Sequence, residues 1–406
     1  MDSKALMTRL ELIDIIRNGE NSAIEFKRDD IQTHDLAKEL VAFLNFEGGA
    51  VLLGVEDEGT VSGITRPNLE EWVMNVCRNN IRPAVIPFYE VVRDVEPGKD
   101  VAVVRVLPGP AVQCSVQNNR DLFYIRVGTT SRAATLEELA RLFANRGEFR
   151  PELRPMNGAT ISDLDMRRLV NNFVYIRRQE APDLGDQESW RRLLENTEIT
   201  VDGGVTMAGL LLFGKNPNRF LPQAGIDATA FTGTDKDYAA RERASIRGPI
   251  TPLFTESGDL LENGLIEQAV DFVRRNTNVT ATLADGARRK ERFDYPDEPI
   301  RECIVNALVH RDYLLFGTAI ELSIYSNRLE VISPGRLPNG ITPERMKAGT
   351  RATRNQLLMD VMRDYSYVER SGMGVRRKII KGMIDHNGKE PGLVEADERF
   401  TVTLFK

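Results

Sequence analysis

Three polar residues stand four apart in YPDEPIRECIVNALVHRDY (295–313): Glu302, Asn306 and His310. Pro299 near its start and the apolar stripe of Ile304, Val305, Leu308 and Val309 make this stretch a helix. At helical spacing the three polar side chains stack along one face, opposite that stripe. A merely solvated face would normally carry Lys, Glu and Arg, whereas Asn and His are mediocre helix formers. A Glu and an Asn stacked in this way suit a nucleotide–magnesium site. The amide oxygen can ligate the metal, and the carboxylate can activate water for attack on a terminal phosphate. Such a site also needs glycines where backbone approaches phosphate, and two loops follow in order. They are SPGRLPNG (333–340), with Gly335, and ERSGMGVRR (369–377), with Gly372 and Gly374 leading into a helix. The competing reading is a polar helix face packed on its own sheet.

A second set lies near the start. GENSAIEFKRDD (19–30) places Glu20 five residues before Glu25, with Lys27 and Arg28 next. LLGVEDEG, across a helix, adds Glu56 and Asp57. Carboxylates on neighbouring elements can converge on a divalent metal, the minimum for metal-assisted phosphodiester cleavage. Lys27 and Arg28 can hold a phosphate backbone, and RVGTTSRAA (126–134) contributes Arg126 and Arg132. Acidic residues at strand ends are more often simply solvated, so this signal alone is weak.

GLLLFGKN (209–216) fits G-x-x-x-x-G-K but carries Asn216 where a phosphate loop ends in Ser or Thr. Its Leu-Leu-Leu-Phe run reads as a buried strand, not a phosphate cradle. Arg167, Arg168, Arg177, Arg178, Arg191 and Arg192 form paired basic steps along expected helices, and RRKER (288–292) is similar. Paired arginines on solvated helices are common.

Strands and helices alternate through the first 147 residues, from the helix TRLELIDIIRNGE to TLEELARLFANRG, with Thr135 as its N-cap. AVLLGVED and VSGI read as a hairpin. EFRPELRPMNGAT is read as a linker. A middle α/β segment then runs to residue 289, and a third from 290 to 406 holds the strands TAIELSIY, RLEVISPG and RFTVTLFK. The expected fold class is mixed α/β (α+β) throughout.

The chain has 406 residues, 28% of them charged, 41% hydrophobic, and a net charge of −6. That describes two or three globular domains rather than a polycation, so nucleic-acid binding needs local basic patches. No apolar run approaches the roughly 18 residues of a membrane span, and no signal-peptide pattern opens the chain. Three cysteines without CxxC spacing favour a reducing cytoplasm, and three scattered histidines argue against structural zinc.

Residues 290–406 resemble the C-terminal module of bacterial divergent AAA or helicase-related ATP-binding proteins, a variant of the GHKL ATPase fold. The string E-x-x-x-N-A-L-x-H-R-D-Y carries the resemblance. It implies a C-terminal α/β sandwich that binds ATP or another nucleotide with magnesium. Glu302 becomes the general base, Asn306 the metal ligand, and the loops at Gly335 and at Gly372 and Gly374 the nucleotide-binding and lid segments. One departure is Ser333, at the position where that fold offers an Asp to adenine. Residues 8–145 resemble the Schlafen-type AlbA domain through E-N-S-A-I-E-F-K, A-F-L-N-F-E-G-G-A-V-L-L-G-V-E-D and F-Y-I-R-V-G-T-T-S-R. This implies nucleic-acid binding, to RNA or DNA. In members that cleave RNA it implies a magnesium or manganese triad at Glu20, Glu25 and either Glu56 or Asp57. Together the two resemblances imply an ATP-modulated metal-dependent nuclease, homo-oligomeric and suited to defence or stress. The alternative is an ATP-responsive DNA-binding transcriptional regulator that does not cut.

Overall fold

The structure, a computed structural model, describes residues 7–109, 111–146, 149–284, 288–338, 341–350, 352–368 and 374–406. The chain forms two compact units, Met1–Phe149 and Arg150–Lys406. No helix among the described residues is long and apolar enough to cross a membrane.

The first unit is built on a four-stranded sheet in the order Ile24–Lys27, Gly49–Leu53, Lys99–Val106, Phe88–Glu96. The first pair is parallel and the others are antiparallel. Strand alternation sends Val51 and Leu53 to one face and Ala50 and Leu52 to the other. One face packs on the helices Thr33–Leu44 and Leu69–Asn79, the other on the helix Arg9–Asn18, so the sheet has two separate cores. Capping boxes start two helices: Thr8 with Glu11, and Thr135 with Glu138. The expected hairpin of AVLLGVED and VSGI is reduced to a single bridge between Val55 and Val61. After Leu53 the chain bends away instead, and both Gly54 and Val55 donate their amides to the Lys27 carbonyl. That bend carries Glu56 and Asp57 to the end of the Ile24–Lys27 strand.

The second unit holds a six-stranded sheet in the order Ala240–Ile246, Ile226–Phe231, Ile320–Ile324, Arg328–Pro334, Arg399–Phe405, Gly392–Ala396. Only the pairing of Ile226–Phe231 with Ile320–Ile324 is parallel. One continuous core runs from Ala159 to Leu404. The helix Asp297–His310 lies within it, with Ile304, Val305, Leu308 and Val309 all buried. Its opposite face is partly buried as well, because Glu302 is only 4% exposed.

GLLLFG is a helix, not the expected strand. Residues Met207–Phe213 are helical, and the Thr206 hydroxyl caps them by accepting from the Gly209 amide at 3.0 Å. All seven residues are buried, so the run lacks the alternation that separates helix from strand. The helix expected over SDLDMRRLVNNFVYIRRQ begins at Met166 and widens to π geometry over Asn171–Ile176.

Candidate functional site

In the second unit, Glu302, Asn306, His310, Ser333, Gly335 and Gly374 line one cavity of about 160 Å³. The helix Asp297–His310 and the strand Arg328–Pro334 each contribute to its wall. Gly372 lies outside the described residues. Asn306 Nδ2 donates to Glu302 Oε1 at 3.2 Å, which leaves the amide oxygen as the acceptor available to a cation. Gly374 sits directly against the Glu302 carboxylate; a Cβ there would overlap it. Gly335 has φ of +111°, a conformation side chains rarely adopt, and its amide donates to the Glu398 carbonyl at 2.7 Å. His310 Nδ1 is buried without a hydrogen-bond partner among the described residues. Burial first, and the Arg354 charge second, push its pKa down to about 4, so the ring is neutral at pH 7.

The HRDY string has a structural meaning. A helix leaves its last four carbonyls without intrahelical donors. In Asp297–His310 each of the four receives a side chain. Ser333 Oγ donates to Ala307 O at 3.0 Å, Tyr313 Oη to Leu308 O at 2.9 Å, Asn355 Nδ2 to Val309 O at 2.7 Å and Arg354 Nη1 to His310 O at 2.8 Å. Arg311 is fully buried; it donates to the carbonyls of Asp312 and Leu315 and stacks on Tyr313, 4.9 Å from the ring centre. Tyr313 of the motif, together with Ser333, Arg354 and Asn355 from other segments, thus anchors the helix that presents Glu302 and Asn306. Arg354 and Asn355 were not expected from sequence, because a polar pair ahead of a helix carries no periodic signal.

In the first unit the parallel register sets Lys27 opposite Leu53, and the bend after Leu53 brings the second acidic stretch alongside. The Lys27 ammonium lies 2.7 Å from Glu25 Oε1, 3.3 Å from Asp57 Oδ1 and 4.0 Å from Glu20 Oε1. Glu20 also accepts from the Phe26 amide at 2.8 Å. Its pKa is raised, chiefly by burial, with the charges of Glu25 and Asp57 adding to the effect. Burial alone would depress the Lys27 pKa, but the Glu25 hydrogen bond and the surrounding carboxylates outweigh it and raise it. Glu56 turns aside toward Arg28, 3.5 Å away. The carboxylates are of the right type for magnesium or manganese. As placed, however, they converge on an ammonium, and no group of three or more metal-capable side chains is found among the described residues. The arrangement does not fit a resident divalent ion.

The expected phosphate-binding cations divide sharply. Arg126 is not on the surface: its side chain is 0% exposed, 2.6 Å from Glu25 and 3.4 Å from Glu39. It also donates to the carbonyls of Asn21 and Ile24 and lies over the Phe43 ring. A buried cation among two buried carboxylates is an internal clamp, so the expected phosphate contact is corrected. Arg132 is exposed but held by Glu138 through two bonds of 2.9 and 2.7 Å, and the Glu138 carboxyl is pulled down to about 2, mainly by that pairing. Lys27 is committed to the acidic cluster. Arg28 remains 61% exposed at the rim. Among the paired arginines, Arg167 and Arg168 bind Glu262, Arg177 binds Asp364, and Arg191 and Arg192 both bind Glu188.

Residues 317–404 match the family model described as "Putative ATP-dependent DNA helicase recG C-terminal", and residues 20–135 match the Schlafen AlbA_2 model. No curated protein matches the chain. Among solved structures, the DIP2311 protein from Corynebacterium diphtheriae is 22% identical, with a TM-score of 0.45, over 100% of this chain and 77% of that one. The N-terminal domain of a putative ATP-dependent DNA helicase RecG-related protein from Nitrosomonas europaea is also 22% identical. It covers 32% of this chain and 95% of its own, with a TM-score of 0.24. The chain is thus a mixed α/β protein with a Schlafen AlbA_2-like stretch at residues 20–135 and a stretch similar to the helicase-related C-terminal model at residues 317–404.

Proposed function

We propose that this protein binds a nucleotide, ATP in the first instance, in the C-terminal cavity and a nucleic acid through the AlbA_2 domain. One observation carries the reading: a single cavity gathers Glu302, Asn306, His310, Gly335 and Gly374. Magnesium arriving with the nucleotide neutralises phosphate charge, and such an ion typically keeps phosphates and waters as most of its ligands. Asn306 offers it the amide oxygen that Glu302 leaves available. Neutral His310 lines the same wall without adding charge, as do Gly335, packed against Arg354 and Asp312, and Gly374, packed against Glu302. Glu302 is the proton acceptor for an attacking water. Titration with ATP and magnesium, followed by calorimetry, tests this. Binding is expected in the wild type and is lost in Asn306→Ala with the circular dichroism spectrum retained. A wild type that binds no nucleotide sinks the reading.

A second reading, supported by the AlbA_2 match and not by the acidic cluster as placed, is a metal-dependent nuclease suited to defence or stress, in which Lys27 would have to leave Glu20, Glu25 and Asp57 before an ion could enter. Its rival is a regulator that grips DNA without cutting. Labelled transfer RNA, single-stranded RNA and duplex DNA are incubated with magnesium or manganese, with and without ATP, beside Glu25→Ala. Cleavage that disappears in the variant supports the nuclease. Retained binding without cleavage supports the regulator.

A further inference from the structure

Glu302 is engaged on both carboxylate oxygens. Asn306 Nδ2 donates to Oε1 at 3.2 Å, and the Lys378 ammonium lies 3.5 Å from Oε2. Lys378 belongs to the π-helical segment Gly374–Lys381, whose first residue, Gly374, packs directly on the same carboxylate. Glu298, one turn earlier on the helix Asp297–His310, lies 4.0 Å from the same ammonium. Lys378 is only 13% exposed and Glu302 only 4%, so water screens this pair weakly. One segment therefore brings both a covering backbone and a neutralising charge to a single acid.

We propose that Lys378 is a positioning residue that restrains Glu302 from acting on water, so that the module retains ATP and turns it over slowly. This rests on the nucleotide-binding reading above. In hydrolysis the water oxygen bonds to the γ-phosphorus while its proton passes to the Glu302 carboxylate. The bond to the β,γ-bridging oxygen breaks, and its electron pair leaves with ADP. A proton acceptor must direct a lone pair at that water within hydrogen-bond reach. Here Asn306 takes one lone pair of Oε1, the Lys378 charge holds Oε2 from 3.5 Å, and Gly374 packs directly against the carboxylate. The pair explains why a buried acid at this position is tolerated, since an unpaired buried charge is strongly destabilising.

A purely structural pair and a restraint differ in what they do to turnover. ATP binding, kcat and KM are measured on the full chain for the wild type, Lys378→Met, Lys378→Gln and Lys378→Arg. The restraint requires nucleotide binding in the wild type and a several-fold rise in kcat in Lys378→Met, with KM changed far less. Lys378→Arg, which keeps the cation, returns turnover to the low wild-type level. If Lys378→Met does not fold, Lys378→Gln carries the same expectation, since its amide is uncharged. Unchanged or reduced kcat in a folded, ATP-binding variant overturns the restraint and leaves the nucleotide reading intact. Absence of ATP binding in the wild type overturns both.

Discussion

The Ser333 hydroxyl donates at 3.0 Å to the carbonyl of Ala307, tying the strand Arg328–Pro334 to the last turn of the helix Asp297–His310. Its proton is thereby spent on the helix, and the oxygen that faces the cavity is an acceptor. Together with Tyr313, Arg354 and Asn355, it completes the cap that holds Glu302 and Asn306 in place.

That cap is accessible to mutation. Asn355 serves two carbonyls, those of Val309 and Arg311. Replacing it by Ala leaves buried acceptors unpaired, at a cost of about 1–3 kcal/mol in urea unfolding. Ser333→Ala removes one neutral bond and costs about 1 kcal/mol. If Asn355→Ala were as stable as the wild type, the cap would not be holding the helix.

Gly374→Ala tests the close approach to Glu302. The added methyl group overlaps a buried carboxylate, and such overpacking costs about 1–3 kcal/mol. Nucleotide affinity is expected to fall more than stability. Gly388→Ala, where nothing lies within 4 Å, is the control for an open glycine, although its φ of +75° costs some backbone strain.

His310 makes stability depend on pH. Its folded pKa of about 4 lies below the usual 6.5, so the native state favours the neutral ring. Between pH 6.5 and 4 the unfolded chain binds the extra proton, and stability falls on acidification. The slope is at most about 1.4 kcal/mol per pH unit. The contribution is fully present above pH 6.5 and lost as pH drops through that window. His310→Gln removes this component, so denaturant midpoints at pH 7 and pH 5 draw closer together.

Arg126 and Arg28 are expected to behave oppositely. Arg126→Met leaves Glu25 with Lys27 and Glu39 with Lys38 and Ser131 but removes the buried cation between them, a loss of about 3 kcal/mol seen as a lowered melting temperature. Arg28→Ala leaves the melt unchanged, weakens nucleic-acid binding and lowers the logarithmic salt slope by about one. Glu138→Gln releases Arg132 and is expected to strengthen binding with a steeper salt dependence. An unaltered salt slope in Arg28→Ala would remove Arg28 from the interface.

The helix Asp297–His310 was legible because its apolar stripe and polar row repeat at helical spacing. Thr135 was legible as a cap because Glu138 follows three residues later. Those signals are local, and local chemistry determines them. Tertiary structure alone decided that GLLLFG is helical, since a segment buried on every side shows no period. It alone placed Arg126 in the interior and Lys27 among three carboxylates, because an ionic side chain reads the same in sequence whether it faces water or a buried partner. It alone joined Lys378 to Glu302, a pairing between residues 76 positions apart, set by how two helical segments pack and by no spacing within either.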